Sequence, residues 1–308
     1  MRDILISEVG PRDGLQNIKS ILPTEAKKRW IHGQHQAGAS EIEVGSFVPA
    51  QLLPQLADTA ELVAYASGLP DLTVSVLAPN KRGLEAAVKS GAHKGSIPFS
   101  MSESHSIKNV RKNHPQMLEE VRSCIEFLRQ LPRDRRPAFE VSISTAFGCT
   151  IEGEVPEDQV LRLVEQIVAL GADEVCLCDT TGYANPVQLA RLLEAVWANC
   201  GRDKMDSVHL HNTRGQGIAN ALRAVELGIT TVDASLGGLG GCPFAPGASG
   251  NIVTEDLVFL LESMGLRTGM DLPRLLEVRE QLQRDLPGEE LYGFVAAAGL
   301  PKTYTAAA

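Results

Sequence analysis

Two histidines one residue apart, His209 and His211, have the clearest capacity for chemistry in this sequence. They close a strand-like run, Asp206–His211. Alternate strand residues point the same way, so the two imidazoles can share one metal ion. An isolated pair of this kind is equally at home as polar residues in a solvated barrel mouth. Asp13 shifts that balance. It follows the first strand-like run, and in a closed barrel the first strand adjoins the last, which brings its carboxylate toward the pair. Asn251 could add an amide oxygen. Two nitrogens, a carboxylate and an amide leave two octahedral positions for substrate oxygens. That set suits Mg²⁺ or Mn²⁺, with Zn²⁺ open.

Arg12 stands beside Asp13. A guanidinium next to a metal can hold a carbonyl oxygen as it becomes an enolate, and it can equally form a structural ion pair. Glu8, Gln16 and Glu43 follow or lie in strand-like runs and read as supporting groups, in the site or in the structure. Cys242 lies in a loop of small residues, with five glycines between Gly237 and Gly247. Such a loop can approach a ligand closely, and an exposed thiol there could serve as acid, base or nucleophile. Cys124, Cys149, Cys176, Cys178 and Cys200 read as small core or near-surface residues, and His32, His35, His93, His105 and His114 as surface or core. The glycine-rich stretch lacks the strand–GxGxxG–helix setting of a dinucleotide site. Ser102–Asn113 is locally basic; it could meet a phosphate-bearing ligand or form a solvated helix start.

These groups need a frame. Strand-like runs are Asp3–Val9, Glu41–Gly45, Asp71–Leu77, His93–Pro98, Ala138–Thr145, Asp173–Asp179, Asp206–His211 and Thr231–Ser235. Amphipathic stretches alternate with them: Thr24–Ala37, Lys81–Ser90, Met117–Gln130, Glu157–Leu170, Pro186–Ala198 and Gly217–Leu227. Gly38, Gly91, Gly171 and Gly228 fall where helices end. Eight regular units predict an α/β fold, a (β/α)₈ TIM barrel, with the polar clusters at the C-terminal strand ends where such barrels keep their chemistry. A doubly wound open sheet is the competing arrangement, but nothing marks a sheet edge or switch point. One catalytic domain over 1–308 is expected, with helices from about residue 266, Pro273–Asp285 and Glu289–Ala298, packed on it.

The 308 residues are 44% hydrophobic and 22% charged, an ordinary globular balance. The net charge of −9 argues against a general nucleic-acid binder, and no apolar run reaches the ~20 residues of a membrane span. Irregularly spaced cysteines and the lack of a leader-like segment predict a reduced, cytoplasmic protein.

The chain resembles the 3-hydroxy-3-methylglutaryl-CoA lyase family of metal-dependent TIM-barrel lyases. The resemblance is carried by Glu8–Asn17, Ser46-Phe47-Val48, Ala78-Pro79-Asn80, Asp179-Thr180, His209-x-His211 and Gly238–Asn251. It implies that Asp13, His209, His211 and Asn251 bind a divalent metal. Arg12 would stabilise a thioester enolate, Glu43 would fix the geometry, and Cys242 would be a mobile-loop acid/base. The implied reaction is retro-Claisen cleavage of an acyl-CoA to a ketone and acetyl-CoA. The metal would act as Lewis acid and template, His209 or Asp13 would take the hydroxyl proton, and Cys242 would protonate the enolate. Arg12, Gln16, Ser46, Thr181 and Arg214 are the expected substrate contacts, and a homo-oligomer, a dimer, is expected. Three segments depart from the family pattern: Asn212-Thr213-Arg214 after the histidine pair, Ile18 after the opening motif, and Pro49–Pro54 after Val48. They leave the metal set intact and open the question of which branched 3-hydroxyacyl-CoA is used. A bond-forming synthase and a catalytically silent barrel are the competing readings. The cysteine loop argues against the first, and the complete ligand set against the second.

Overall fold

The computed structural model describes residues 2–240 and 250–307. Eight strands pair in parallel and in chain order, and the first closes on the last. They are β1 (Leu5–Glu8), β2 (Glu41–Ser46), β3 (Thr73–Leu77), β4 (Lys94–Ser100), β5 (Ala138–Ser144), β6 (Glu174–Asp179), β7 (Ser207–Leu210) and β8 (Thr231–Ala234). Around them run α1 (Thr24–Gln36), α2 (Thr59–Ala66), α3 (Lys81–Ser90), α4 (Glu103–Val110), α5 (His114–Gln130), α6 (Glu157–Leu170), α7 (Pro186–Cys200), α8 (Gly217–Leu227), α9 (Thr254–Ser263), α10 (Leu272–Asp285) and α11 (Phe294–Ala298). The expected (β/α)₈ barrel is the fold.

Local chemistry sets the helix ends. The Asn80, Asn113 and Asn185 side chains accept backbone N–H groups at their helix starts. Gly91, Gly171 and Gly228 close α3, α6 and α8 in the left-handed conformation that the sequence predicts. Three short helices escape the periodicity reading: α2, α4 and α9, of eight, eight and ten residues. Each is too short for a strong 3.6-residue pattern. The expected helix over Glu289–Ala298 is confined to α11, because Gly293 at φ +124° interrupts it and Arg279 binds the carbonyls of Leu291 and Tyr292.

The apolar core lies between strands and helices. Ile42, Val74, Val76, Ile97, Val141, Ile143, Val175, Leu177, Val208 and Val232 all belong to it and are fully buried. Each buried apolar side chain contributes about 1.5–3 kcal/mol relative to exposure. The opposite strand faces are polar: Ser7, Glu43, Ser75, Ser96, Ser142, His209 and Asp233 line an axial cavity of about 740 Å³. The barrel axis is thus a chamber rather than a packed apolar interior. Among the described residues no helix is long and apolar enough to cross a membrane.

Candidate active site

One widened helical turn over Gly10–Gly14 carries Arg12 and Asp13 off the end of β1, with Arg12 N and Asp13 N both donating to Val9 O. Glu8 anchors this turn. Its Oε1 accepts from Gly10 N and Leu236 N at 3.0 Å, and its Oε2 from the Thr254 hydroxyl at 2.8 Å, which ties β1 to the segments after β8. Gly240 presses on the same turn: a Cβ there would lie 2.9 Å from Asp13 O, and its φ is +103°. Gly240 therefore serves close approach of the loop to the Gly10–Gly14 turn. Cys242 itself lies outside the described residues.

Asp13 is the hub. Its Oδ1 accepts from Arg12 Nη1 at 2.5 Å and from Gln16 Nε2 at 2.8 Å, and its Oδ2 from Asn251 Nδ2 at 2.7 Å. Arg12 Nε donates to Glu43 Oε2 at 2.5 Å, so one guanidinium bridges two carboxylates. A bulge between Glu43 and Gly45 shifts the β2 register here. His209 and His211 turn their Nε2 atoms to within 3.1 Å of each other, and His211 Nε2 lies 3.8 Å from Asp13 Oδ2. His211 also pairs with Asn251 through the backbone, which places the amide beside the imidazoles.

The electrostatics separate the two histidines. Burial pulls the His209 value down, but Asp233, 3.0 Å from its Nδ1, and Asp13 outweigh this and raise it to about 9. For His211, burial and then the neighbouring His209 outweigh the pull of Asp13, 3.8 Å away, and depress it to about 4. Burial raises Asp13, but Arg12 and both histidines hold it at about 2. Glu43 shares Arg12 with Asp13, and its burial pushes it up to about 7.

Asp13, His209 and His211 form a group whose ligand atoms lie within 4.8 Å of one another. Asn251 Oδ1 and His211 Nδ1 are buried and without a hydrogen-bond partner among the described residues. The orphaned Asn251 amide oxygen, beside the cluster of Asp13, His209 Nε2 and His211 Nε2, fits a divalent cation.

The other expected contacts divide. Arg12, Asp13, Gln16, Glu43, His209 and His211 line the cavity. Ser46, Thr181 and Arg214 do not. The Ser46 hydroxyl accepts from Val48 N, and the Thr181 hydroxyl donates to Gly148 O. Arg214 donates through Nη1 to the carbonyls of Thr181 and Gly182 and stacks over Tyr183, which holds it on the β6 loop. Three cavity residues were missed in the sequence. Asp233 orients His209 from the adjoining position of β8. His105, bonded to Ser100, and Cys178, beside His209 in the ladder, were both read as structural. For Asp233 the available signal was a lone acid in an apolar strand.

Fold and site together define a (β/α)₈ barrel with a candidate metal centre at the C-terminal mouth. The family description HMGL-like matches residues 3–282. The chain belongs to this family. It is 39% identical over 300 residues to hydroxymethylglutaryl-CoA lyase YngG of Bacillus subtilis, covering 95% of this chain and 98% of that one. The cytoplasmic 3-hydroxy-3-methylglutaryl-CoA lyase of Rattus norvegicus is 40% identical over 274 residues, covering 89% and 78%. A solved HMG-CoA lyase from Acinetobacter baumannii, in complex with coenzyme A and 3-methylmalate, superposes with a TM-score of 0.90 at 38% identity, covering 98% and 97%.

Proposed function

We propose that the protein is a divalent-metal-dependent lyase that cleaves (3S)-3-hydroxy-3-methylglutaryl-CoA to acetyl-CoA and acetoacetate. The observation that carries this reading is the Asp13–His209–His211 group, with Asn251 and Arg12 against it, lining the cavity at the C-terminal mouth of the barrel in a chain so similar to lyases of that name. Mg²⁺ or Mn²⁺ held by Asp13, His209, His211 and Asn251 would supply Lewis acidity and a template for the substrate oxygens.

The chain's own residues divide the remaining work. Arg12 keeps donors beyond those given to Glu43 and Asp13, and these stabilise the thioester oxygen as it becomes an enolate. Glu43 and Gln16 hold Arg12 and Asp13 in that geometry. The 3-hydroxyl proton leaves by His209 or Asp13 as the C2–C3 bond breaks. Cys242 protonates the enolate carbon; its loop starts at Gly240, against Asp13. Asn109, Arg111 and Lys112 at the cavity rim suit the phosphates of coenzyme A, and Val48, Pro49, Leu52 and Leu53 suit its apolar arm. The free thiols among the described residues fit a cytoplasmic enzyme, and we expect it to act as a homodimer.

The test is turnover of a panel of 3-hydroxyacyl-CoA thioesters with Mg²⁺ or Mn²⁺, following acetyl-CoA. Release of acetyl-CoA and acetoacetate, fastest from the 3-hydroxy-3-methylglutaryl thioester, is expected. Acetyl-CoA consumption, or cleavage only of another thioester, would replace this reading.

A further inference from the structure

One feature of the cavity wall has no part in the proposed chemistry. Cys176 and Cys178 alternate along β6, so both side chains face the barrel axis. Cys178 lines the cavity in register with His209, and Cys176 lies one step deeper in register with Ser207. The Cys178 thiol donates to Cys176 O at 3.4 Å. The neighbouring Cys178 thiol, and then burial, push the Cys176 thiol well above its ordinary value. A protonated, buried thiol is a poor nucleophile toward alkylating reagents. A direct disulfide also fits badly: alternate strand residues lie ~6.6 Å apart, at the far edge of the Cα separations that disulfides span. An atom inserted between the sulfurs relieves that limit.

We infer that Cys176 and Cys178 form a dithiol site for soft, trivalent arsenicals, entered through the cavity and closing it beside His209. Capture of an arsenoxide breaks two S–H bonds and the As=O bond and forms two As–S bonds. Both protons leave with the oxygen as one water, and no atom changes oxidation state. Soft sulfur donors favour such a centre, whereas the N/O set of Asp13, His209, His211 and Asn251 does not. Only the inhibition expected from capture rests on the proposed lyase reading; capture itself does not.

The probe is phenylarsine oxide, added at one equivalent to the full-length protein and mapped by mass spectrometry after trypsin. Arg162 and Arg191 bound a peptide, residues 163–191, whose cysteines are Cys176 and Cys178 alone. The expected result is one adduct per chain on that peptide, removed by excess dithiol but not by monothiol. It should be lost in Cys178→Ala, and turnover of the unaltered protein should fall at least tenfold. Iodoacetamide should leave Cys176 unmodified. An adduct on a peptide holding Cys124, Cys149, Cys200 or Cys242 instead, or release by monothiol, would overturn the site. Capture with undiminished turnover would overturn its placement beside His209. Because the map is read on unaltered protein, it stands even if a variant fails to fold or the thioester substrate proves different.

Discussion

The barrel axis buries a charged cluster at each end, and the two are built on opposite terms. At the floor, Lys94 Nζ lies 2.8 Å from Glu140, 3.0 Å from Glu174 and 3.7 Å from Glu41. Burial works against its charge, but three carboxylates outweigh burial and keep it protonated. Ser142 donates to Glu140 as well. At the mouth, two imidazoles face each other nitrogen to nitrogen, and Asn251 Oδ1 is left without a partner among the described residues. A buried ion cluster holds together when its members satisfy one another. The floor does so and reads as structure. The mouth keeps lone pairs in reserve, which is the arrangement of a site awaiting a ligand.

That contrast can be broken at either end. Lys94→Met removes the floor's cation and leaves the buried Glu41 and Glu140 and the partly exposed Glu174 uncompensated, at a cost of about 3–5 kcal/mol. Burial raises the Glu41 and Glu174 values, so these groups take up protons as pH falls, and the stability loss should grow from pH 5 to pH 8. Calorimetric Tm values at the two pH values check this. An unchanged Tm would remove the structural reading of the floor.

Arg12→Lys probes the other end. The charge stays, but the fork bridging Glu43 and Asp13 is lost. Steady-state kinetics should show kcat lower by roughly 10²–10³, a smaller change in KM, and a Tm shift well below that of Lys94→Met. A change confined to KM would make Arg12 a binding group only.

Much of this was legible in the sequence because period and spacing carried it. The strand-like runs fall on the eight strands to within a few residues, and barrel closure follows from regular alternation. Asp13 and the histidine pair were legible because strand alternation sets both imidazoles on one face and barrel closure brings the carboxylate toward them. What stayed hidden depends on partners distant in sequence. Asp233 is one acid in an apolar strand until β7 sets it against His209. Cys178 looks like core until the inner strand faces prove polar. The hold of Thr181, Gly182 and Tyr183 on Arg214 is equally absent from the sequence pattern. The short helices α2, α4 and α9 rest on tertiary packing more than on their own pattern.

The central claim is that the mouth is built for one divalent cation, and calorimetric titration of metal-stripped protein with Mn²⁺ tests it most directly. His209, raised to about 9, carries a proton at pH 7, whereas His211, lowered to about 4, does not. A cation that takes the His209 lone pair must displace that proton. Repeating the titration in buffers of different ionisation enthalpy should therefore give one Mn²⁺ per chain with about one proton released at pH 7. Affinity should rise roughly tenfold per pH unit until pH approaches 9, and binding should vanish in Asp13→Ala. No saturable binding, or binding that survives Asp13→Ala without proton release, would contradict the account.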